Sequence, residues 1–239
     1  MRIDVAFFPA AIGGLDLSRT TCIVLDVFRA TTSIVTAMAS GCKGVTPVLT
    51  VDEARLLARQ KTGVLLAGER QSIKIEGFDL GNSPFDFSEI NVRGKEVIMT
   101  TTNGTTAIKA TAGAARTLIG SFGNAGSICR KAKQHGQDIL IVCAGTDGLF
   151  SLEDALCAGF LTEVLCRDAL PAAVLTDAAS GALLMYGQAK ESLAAIGSGS
   201  RNGSRLQALG REDDIDHCFR LDLYTIVPEY KDGIITVNE

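Results

Sequence analysis

Residues 97–110 read Val-Ile-Met-Thr-Thr-Thr-Asn-Gly-Thr-Thr-Ala-Ile-Lys-Ala. The apolar run 97–99 predicts a buried strand, and residues 107–110 begin a helical pattern. Between them stand five threonines, one asparagine and one glycine, with no acidic residue. A strand that stops at such a loop and turns into a helix directs several N–H groups and hydroxyls into one small space. That arrangement suits an anion, because a helix N-terminus carries unpaired donors and partial positive charge. Thr and Asn are also ordinary N-cap residues, so the loop alone leaves a well-capped helix as an equal reading.

The same plan recurs twice. In residues 22–37, Cys-Ile-Val-Leu-Asp-Val-Phe-Arg-Ala-Thr-Thr-Ser-Ile-Val-Thr-Ala, the run 23–25 reads as a buried strand. Asp26 sits near its carboxyl end, Arg29 begins the loop, and Thr31, Thr32 and Ser33 are placed to cap the next helix. Residues 139–142 form another strand-like run, followed by Cys143-Ala-Gly-Thr-Asp-Gly-Leu-Phe and Ser151-Leu-Glu-Asp154. The last four match the S-x-x-[DE] capping box ahead of an apolar run. In open α/β sheets ligands bind outside the carboxyl ends of the strands, so three polar loops at three such ends predict one shared site.

Strand-like runs at 3–8, 22–27, 44–48, 64–67, 96–99, 118–120 and 138–142 alternate with helical patterns at 31–40, 51–60, 103–112, 124–135 and 152–167. Alternation of this kind predicts a three-layer α/β/α fold with a mostly parallel or mixed sheet. The 239 residues suit a single catalytic α/β domain over 1–239, with two lobes divided near 120–138 as the other arrangement. Residues 91–94 read as a turn, 197–204 as a flexible polar linker or lid, 212–216 as the opening of a final segment, and 222–228 as a late strand.

Composition narrows the function. A hydrophobic share of 46% against 21% charged supports a substantial core, and the net charge of −4 gives no global electrostatic reason to bind nucleic acid or an acidic membrane. With 5% aromatic residues and no Trp, stacking platforms for bases are not expected. No signal peptide or bilayer-spanning run is visible, and seven cysteines without CxxC pairs point to a reducing cytoplasm.

Ala67-Gly-Glu-Arg70 follows another strand-like run, which sets Glu69 and Arg70 at a strand's carboxyl end. The loop 75–84 offers Asp79 and Asn82 as metal or substrate ligands, against a plain structured turn. Asp26, Glu69 and Asp154 form an acidic set of the kind Mg²⁺ prefers, although Asp154 also fits a capping role toward Ser151. Arg29 and Arg70 would supply bidentate contacts to phosphate or sulfonate. Mg²⁺ with arginines and hydroxyls is the equipment of phosphoryl transfer. The chain has neither a P-loop nor a Rossmann fingerprint. Its two histidines, His135 and His217, lie outside the strand-end loops, which disfavours histidine-phosphatase or zinc chemistry.

Asp26-Val-Phe-Arg-Ala-Thr-Thr32, Gly68-Glu-Arg70, Gly77-Phe-Asp-Leu-Gly-Asn-Ser-Pro84, Thr101-Thr-Asn-Gly-Thr105 and Phe150-Ser-Leu-Glu-Asp154 together resemble the 2-phosphosulfolactate phosphatases, and Asp214-Ile-Asp-His-Cys218 is similar to that family's C-terminal signature. The resemblance implies an Mg²⁺-dependent phosphatase that converts 2-phospho-3-sulfolactate to 3-sulfolactate and phosphate, a step of coenzyme M biosynthesis in methanogens. Strand-end position and residue type then assign Mg²⁺ to Asp26, Glu69 and Asp154. Substrate oxygens are assigned to Arg29, Thr31, Thr32, Arg70, Asn82, Thr101, Thr102, Asn103, Gly104, Thr105 and Thr106. A homodimer is expected. The alternatives are a family member acting on another small phosphorylated acid and a non-catalytic binder of organic anions.

Overall fold

Both faces of the strands are buried, so they read as near-continuous apolar runs rather than alternating ones. In Thr20–Leu25, for example, Ile23 and Leu25 enter one apolar cluster while Val24 enters another. The computed structural model describes residues 1–167 and 173–237. Its elements, in chain order, are β1 (Arg2–Ala6), β2 (Thr20–Leu25), α1 (Ala30–Ala39), β3 (Gly44–Pro47), α2 (Val51–Arg59), β4 (Leu65–Arg70), β5 (Ile73–Lys74), α3 (Glu89–Val92), β6 (Glu96–Thr100), α4 (Gly104–Ala110) and β7 (Arg116–Gly120). There follow α5 (Ala125–Gln134), β8 (Asp138–Cys143), α6 (Leu152–Cys166), β9 (Val174–Leu175), α7 (Asp177–Ala189), α8 (Leu193–Ser198), α9 (Arg201–Ala208), α10 (Glu212–Cys218), β10 (Glu229–Lys231) and β11 (Ile234–Thr236).

The strands make one 11-stranded mixed sheet in the order β5-β4-β6-β3-β11-β10-β7-β2-β8-β1-β9. Two parallel blocks, β4-β6-β3 and β7-β2-β8-β1-β9, flank the β10–β11 hairpin, which is antiparallel to its neighbours on both sides. Helices cover both faces, as the three-layer expectation required. Helices α5, α6 and α7 pack with β1, β2 and β8 in the largest apolar cluster, and α2 lies over β4 and β6. Helix α1 is buried along nearly its whole length. Its residues Ile34, Val35 and Ala37 share a second cluster with Val24 and Ile119 of one block and Val45, Val97 and Met99 of the other. Because α1 is packed against both blocks, the loop that precedes it becomes a meeting point for both.

The C-terminal third departs from the sequence reading. Residues 197–204 are not a linker: they close α8 and open α9, with Ser200 Oγ accepting the Gly203 N–H at 3.0 Å. Small residues here serve close packing, since a Cβ on Gly197 would fall 2.1 Å from the Phe219 ring. Residues 222–228 do not form a strand either. The hairpin starts after Pro228, which has no N–H to give to a ladder. Helix α7, whose sequence lacks a clear amphipathic stripe, went unread because it is packed mainly against α6.

Candidate active site

Asp26 leaves β2 and turns at once into α1. Its Oδ1 accepts the Ala30 N–H at 3.1 Å, and its backbone N–H and C=O both pair with the Thr31 hydroxyl. The helix is therefore capped from the preceding strand end. Thr31 is tied to Asp26 and Thr32 to the Val27 carbonyl, so both hydroxyls expected to touch substrate are engaged in holding the loop. Asp26 Oδ2 has no hydrogen bond among the described residues. Gly104 of the Thr-Asn-Gly loop presses onto this carboxylate, where a Cβ would lie 2.6 Å from Oδ2 and 2.5 Å from the Ala30 side chain. Only glycine allows that approach.

Glu69, at the end of β4, is buried and accepts the Ser72 N–H at 2.7 Å with one oxygen and the Thr102 N–H at 2.7 Å with the other. The Thr-rich loop thus does hold a carboxylate, but it belongs to the protein. Thr101 and Thr105 bond to each other, and Thr106 is exposed. Gln71 and Ser72 turn β4 into β5 with φ of 53° and 66°. A two-residue hairpin turn with both φ positive is ordinarily the place for Asn-Gly, so two non-glycine residues here are strained. The strain is held by the active-site groups themselves, Glu69 on the Ser72 N–H and Arg29 Nη2 on the Ser72 carbonyl at 2.9 Å.

Two of the expected site residues have protein partners of their own. Arg29 is not free for substrate: it is 3% exposed and pairs with Asp214 of α10, also 3% exposed, at 2.5 Å. Ser83 Oγ completes that cluster by donating to Asp214 at 2.6 Å. Asp154 is not a capping-box partner of Ser151, and each of its carboxylate oxygens already accepts a backbone N–H. Its Oδ1 accepts the Val27 N–H at 2.8 Å and its Oδ2 the Gly145 N–H at 3.0 Å, which joins the loops after β2 and β8. Arg70 bends back to the Glu69 carbonyl and the Thr100 hydroxyl, and the exposed Asp79 braces β4 through the Leu66 N–H.

Glu153 went unassigned in the sequence reading although it adjoins Asp154. It is 2% exposed, and its Oε2 is buried without a hydrogen-bond partner among the described residues, as is Asn82 Oδ1. Asp214 and Asn202, whose Nδ2 donates to the Phe28 carbonyl, also went unread, because their partners lie far away in the chain. Asp214 sits in the C-terminal segment that carries part of the resemblance, the one available signal.

Burial pushes the Asp26 carboxyl up from 3.8 to about 7. The Ala30 N–H opposes the shift, Glu69 and Glu153 add to it, and Arg29 reduces it. Glu153 is raised by burial, against the pull of its own N–H, of the Ser200 and Ser151 hydroxyls and of Arg201. Asp154 is raised well above the ordinary range by burial and by Glu153 and Asp26, and the two backbone N–H donors oppose this. Buried, mutually repelling carboxyls of this kind characterise sites that bind cations or move protons. Among the described residues no group of three or more His, Cys, Asp or Glu side chains could enclose a metal. Mg²⁺ does not ask for that, since it commonly takes one or two carboxylates and keeps waters and substrate oxygens. Asp26 Oδ2 and the orphaned Glu153 Oε2 fit such a demand. Glu69 stands beside them with both oxygens already accepting N–H groups.

The family profile for 2-phosphosulpholactate phosphatase matches residues 8–233. A protein of Clostridium acetobutylicum named probable 2-phosphosulfolactate phosphatase is 39% identical over 98% of this chain and 100% of its own length. Relatives bearing the same name in Thermotoga petrophila and Caldanaerobacter subterraneus are 40% and 38% identical, covering 99% and 96% of this chain and 99% and 95% of their own lengths. This chain belongs to the 2-phosphosulpholactate phosphatase family, a family of phosphoric monoester hydrolases.

Proposed function

We propose that the protein hydrolyses 2-phospho-3-sulfolactate to 3-sulfolactate and phosphate with the help of Mg²⁺ held by Asp26 and Glu153. The observation that carries this reading is the buried acidic cluster in which, among the described residues, Glu153 Oε2 is buried without a partner and Asp26 Oδ2 accepts no hydrogen bond. Four carboxyls act on one another there, those of Asp26, Glu69, Glu153 and Asp154, with the guanidiniums of Arg29 and Arg201 offsetting them only in part. A polyanionic substrate would be repelled by that balance unless a cation or protons offset it. Bound Mg²⁺ would polarise the phosphoryl oxygens and lower the pKa of a coordinated water.

The chain's own residues then have defined work. In the overall reaction a water oxygen bonds to phosphorus, the bond from phosphorus to the ester oxygen breaks, and the ester oxygen takes up the proton that the water gives up, leaving as the hydroxyl of 3-sulfolactate. Glu69 holds the Thr102 and Ser72 N–H groups in place, which fixes the loop after β6 against the end of β4, and Asp154 holds Val27 and Gly145, which fixes the loops after β2 and β8 against each other. The Arg29–Asp214 pair, with Ser83, closes the side facing α10 against water.

Phosphate release from a panel of phosphorylated hydroxy acids, with Mg²⁺ and with EDTA, tests the reading. Turnover of 2-phospho-3-sulfolactate that EDTA abolishes is expected. Turnover of another member alone would move the substrate, and no turnover of any member would leave an anion-binding protein. A homodimer in the cytoplasm, feeding 3-sulfolactate to coenzyme M or sulfolactate metabolism, completes the proposal.

A further inference from the structure

The substrate proposed above carries a carboxylate and a sulfonate in addition to the phosphate, and the arginines expected to meet them are engaged elsewhere. Arg29 is locked to Asp214 and the Ser72 carbonyl, and Arg70 to the Glu69 carbonyl and the Thr100 hydroxyl. Two further arginines stand at the rim. Arg201 and Arg205, one turn apart on α9, both face Asp147 in the loop between β8 and α6, at 3.8 and 3.4 Å. Arg201 also donates to the Thr146 carbonyl at 2.7 Å and lies close enough to Glu153 to favour its charged form. Asp147 in turn gives its N–H to Asn103 of the Thr-Asn-Gly loop at 3.1 Å. This cluster therefore adjoins the acidic centre on two sides.

The contact is poorly made for a purely structural pair. Arg201 and Asp147 are 47% and 45% exposed, neither guanidinium meets the carboxylate in close bidentate geometry, and Asp147 has a positive φ of 55°. A single planar carboxylate is shared by two forks, whereas a tetrahedral group with three oxygens would satisfy both.

Building on the phosphatase reading, we propose that Arg201 and Arg205 bind the sulfonate of the substrate, and that Asp147 occupies their site in the free enzyme and is displaced on binding. The two arginines are then specificity residues, away from the phosphorus.

Steady-state kinetics on 2-phospho-3-sulfolactate and on 2-phospholactate, which lacks the sulfonate, tests this. Arg201→Gln and Arg205→Gln are expected to lower the ratio of kcat/KM for the sulfonated over the plain substrate by about tenfold or more, mainly through KM, because a charged hydrogen-bonding pair is lost only with the former. Arg201→Lys should recover part of the ratio. Asp147→Asn, which removes the competing anion, should lower KM for the sulfonated substrate. An unchanged ratio in both arginine variants, or a rise in KM for Asp147→Asn equal to theirs, would overturn the proposal in favour of a loop brace. If the wild type hydrolyses neither substrate, the phosphatase reading fails by itself. Calorimetric titration with 3-sulfolactate then decides the arginine site: weaker binding to Arg201→Gln upholds it, and equal or no binding to wild type and variant rejects it.

Discussion

At the carboxyl ends of β2, β4, β6 and β8 the protein packs charge tightly. At the amino end of β7 it leaves charge open. The first region holds the Arg29–Asp214 pair at 3% exposure on both sides, an orphaned Glu153 oxygen, and an Asp26 carboxyl pushed up to about 7. The second has an ion pair too, Arg116 to Glu229 at 2.8 Å, but Arg116 is 40% exposed and lies on a cleft of about 430 Å³ lined by Thr117, Tyr230, Lys231 and Asp232. A roomy polar cleft would attract attention on size alone. The costly arrangement is the other one, because buried carboxyls in mutual repulsion persist only where something else depends on them. The proposed site therefore follows the desolvated charge and not the open volume.

The contrast can be broken by four experiments. Asp26→Asn should have the largest effect, lowering kcat by on the order of a thousandfold in a phosphate-release assay, with Glu153→Gln somewhat milder. If Arg116→Ala cost as much activity, the cleft and not the acidic centre would be the working site. Asp214→Ala should destabilise the fold by about 3–5 kcal/mol in denaturant unfolding, since it strands Arg29 as a buried unpaired cation. A loss below about 1 kcal/mol would show that water reaches Arg29 and that the region is less closed than its geometry implies.

The third experiment uses pH. Asp26 has a folded pKa of about 7 against an ordinary 3.8, so between these values the folded protein binds more protons than the unfolded chain. Its contribution to stability is therefore lost as pH rises through that window. The Tm of metal-free wild type should fall more between pH 5 and pH 7.5 than that of Asp26→Asn, and Mg²⁺ should restore it at the higher pH. Identical pH profiles would mean that Asp26 is well solvated. The smallest effect on catalysis belongs to Arg116→Ala, expected to change kcat by less than twofold, although it leaves the buried Glu229 carboxylate unpaired and should cost about 1–3 kcal/mol of stability.

Much of the fold is legible because local pattern and tertiary role agree. The apolar runs at 22–27, 96–99 and 138–142 become β2, β6 and β8, and the helix expected at 51–60 appears as α2, with the Thr50 hydroxyl accepting the Glu53 N–H at 3.1 Å. Where composition alone guided the reading, it misled. The Gly/Ser-rich segment 197–204 reads as flexible, yet its small residues let α8 pack against Phe219. The strand-end loops of the proposed site are likewise legible in sequence, but the partners of the residues within them are not. Asp154 has the spacing of a helix cap and in fact bridges two other loops, and Arg29 has the chemistry of a phosphate ligand and is held by an aspartate 185 residues away.

The sequence by itself determined the alternation of strands and helices, the polar loops at the strand ends and the family, because each depends on residue type and short spacing. Only the tertiary structure decided which carboxylate oxygens and guanidiniums are already engaged. Hydrogen bonds such as Asp154 to Val27 and ion pairs such as Arg29 to Asp214 join segments far apart in the chain, and whether a charged group is available for chemistry depends on those partners and on its distance from water.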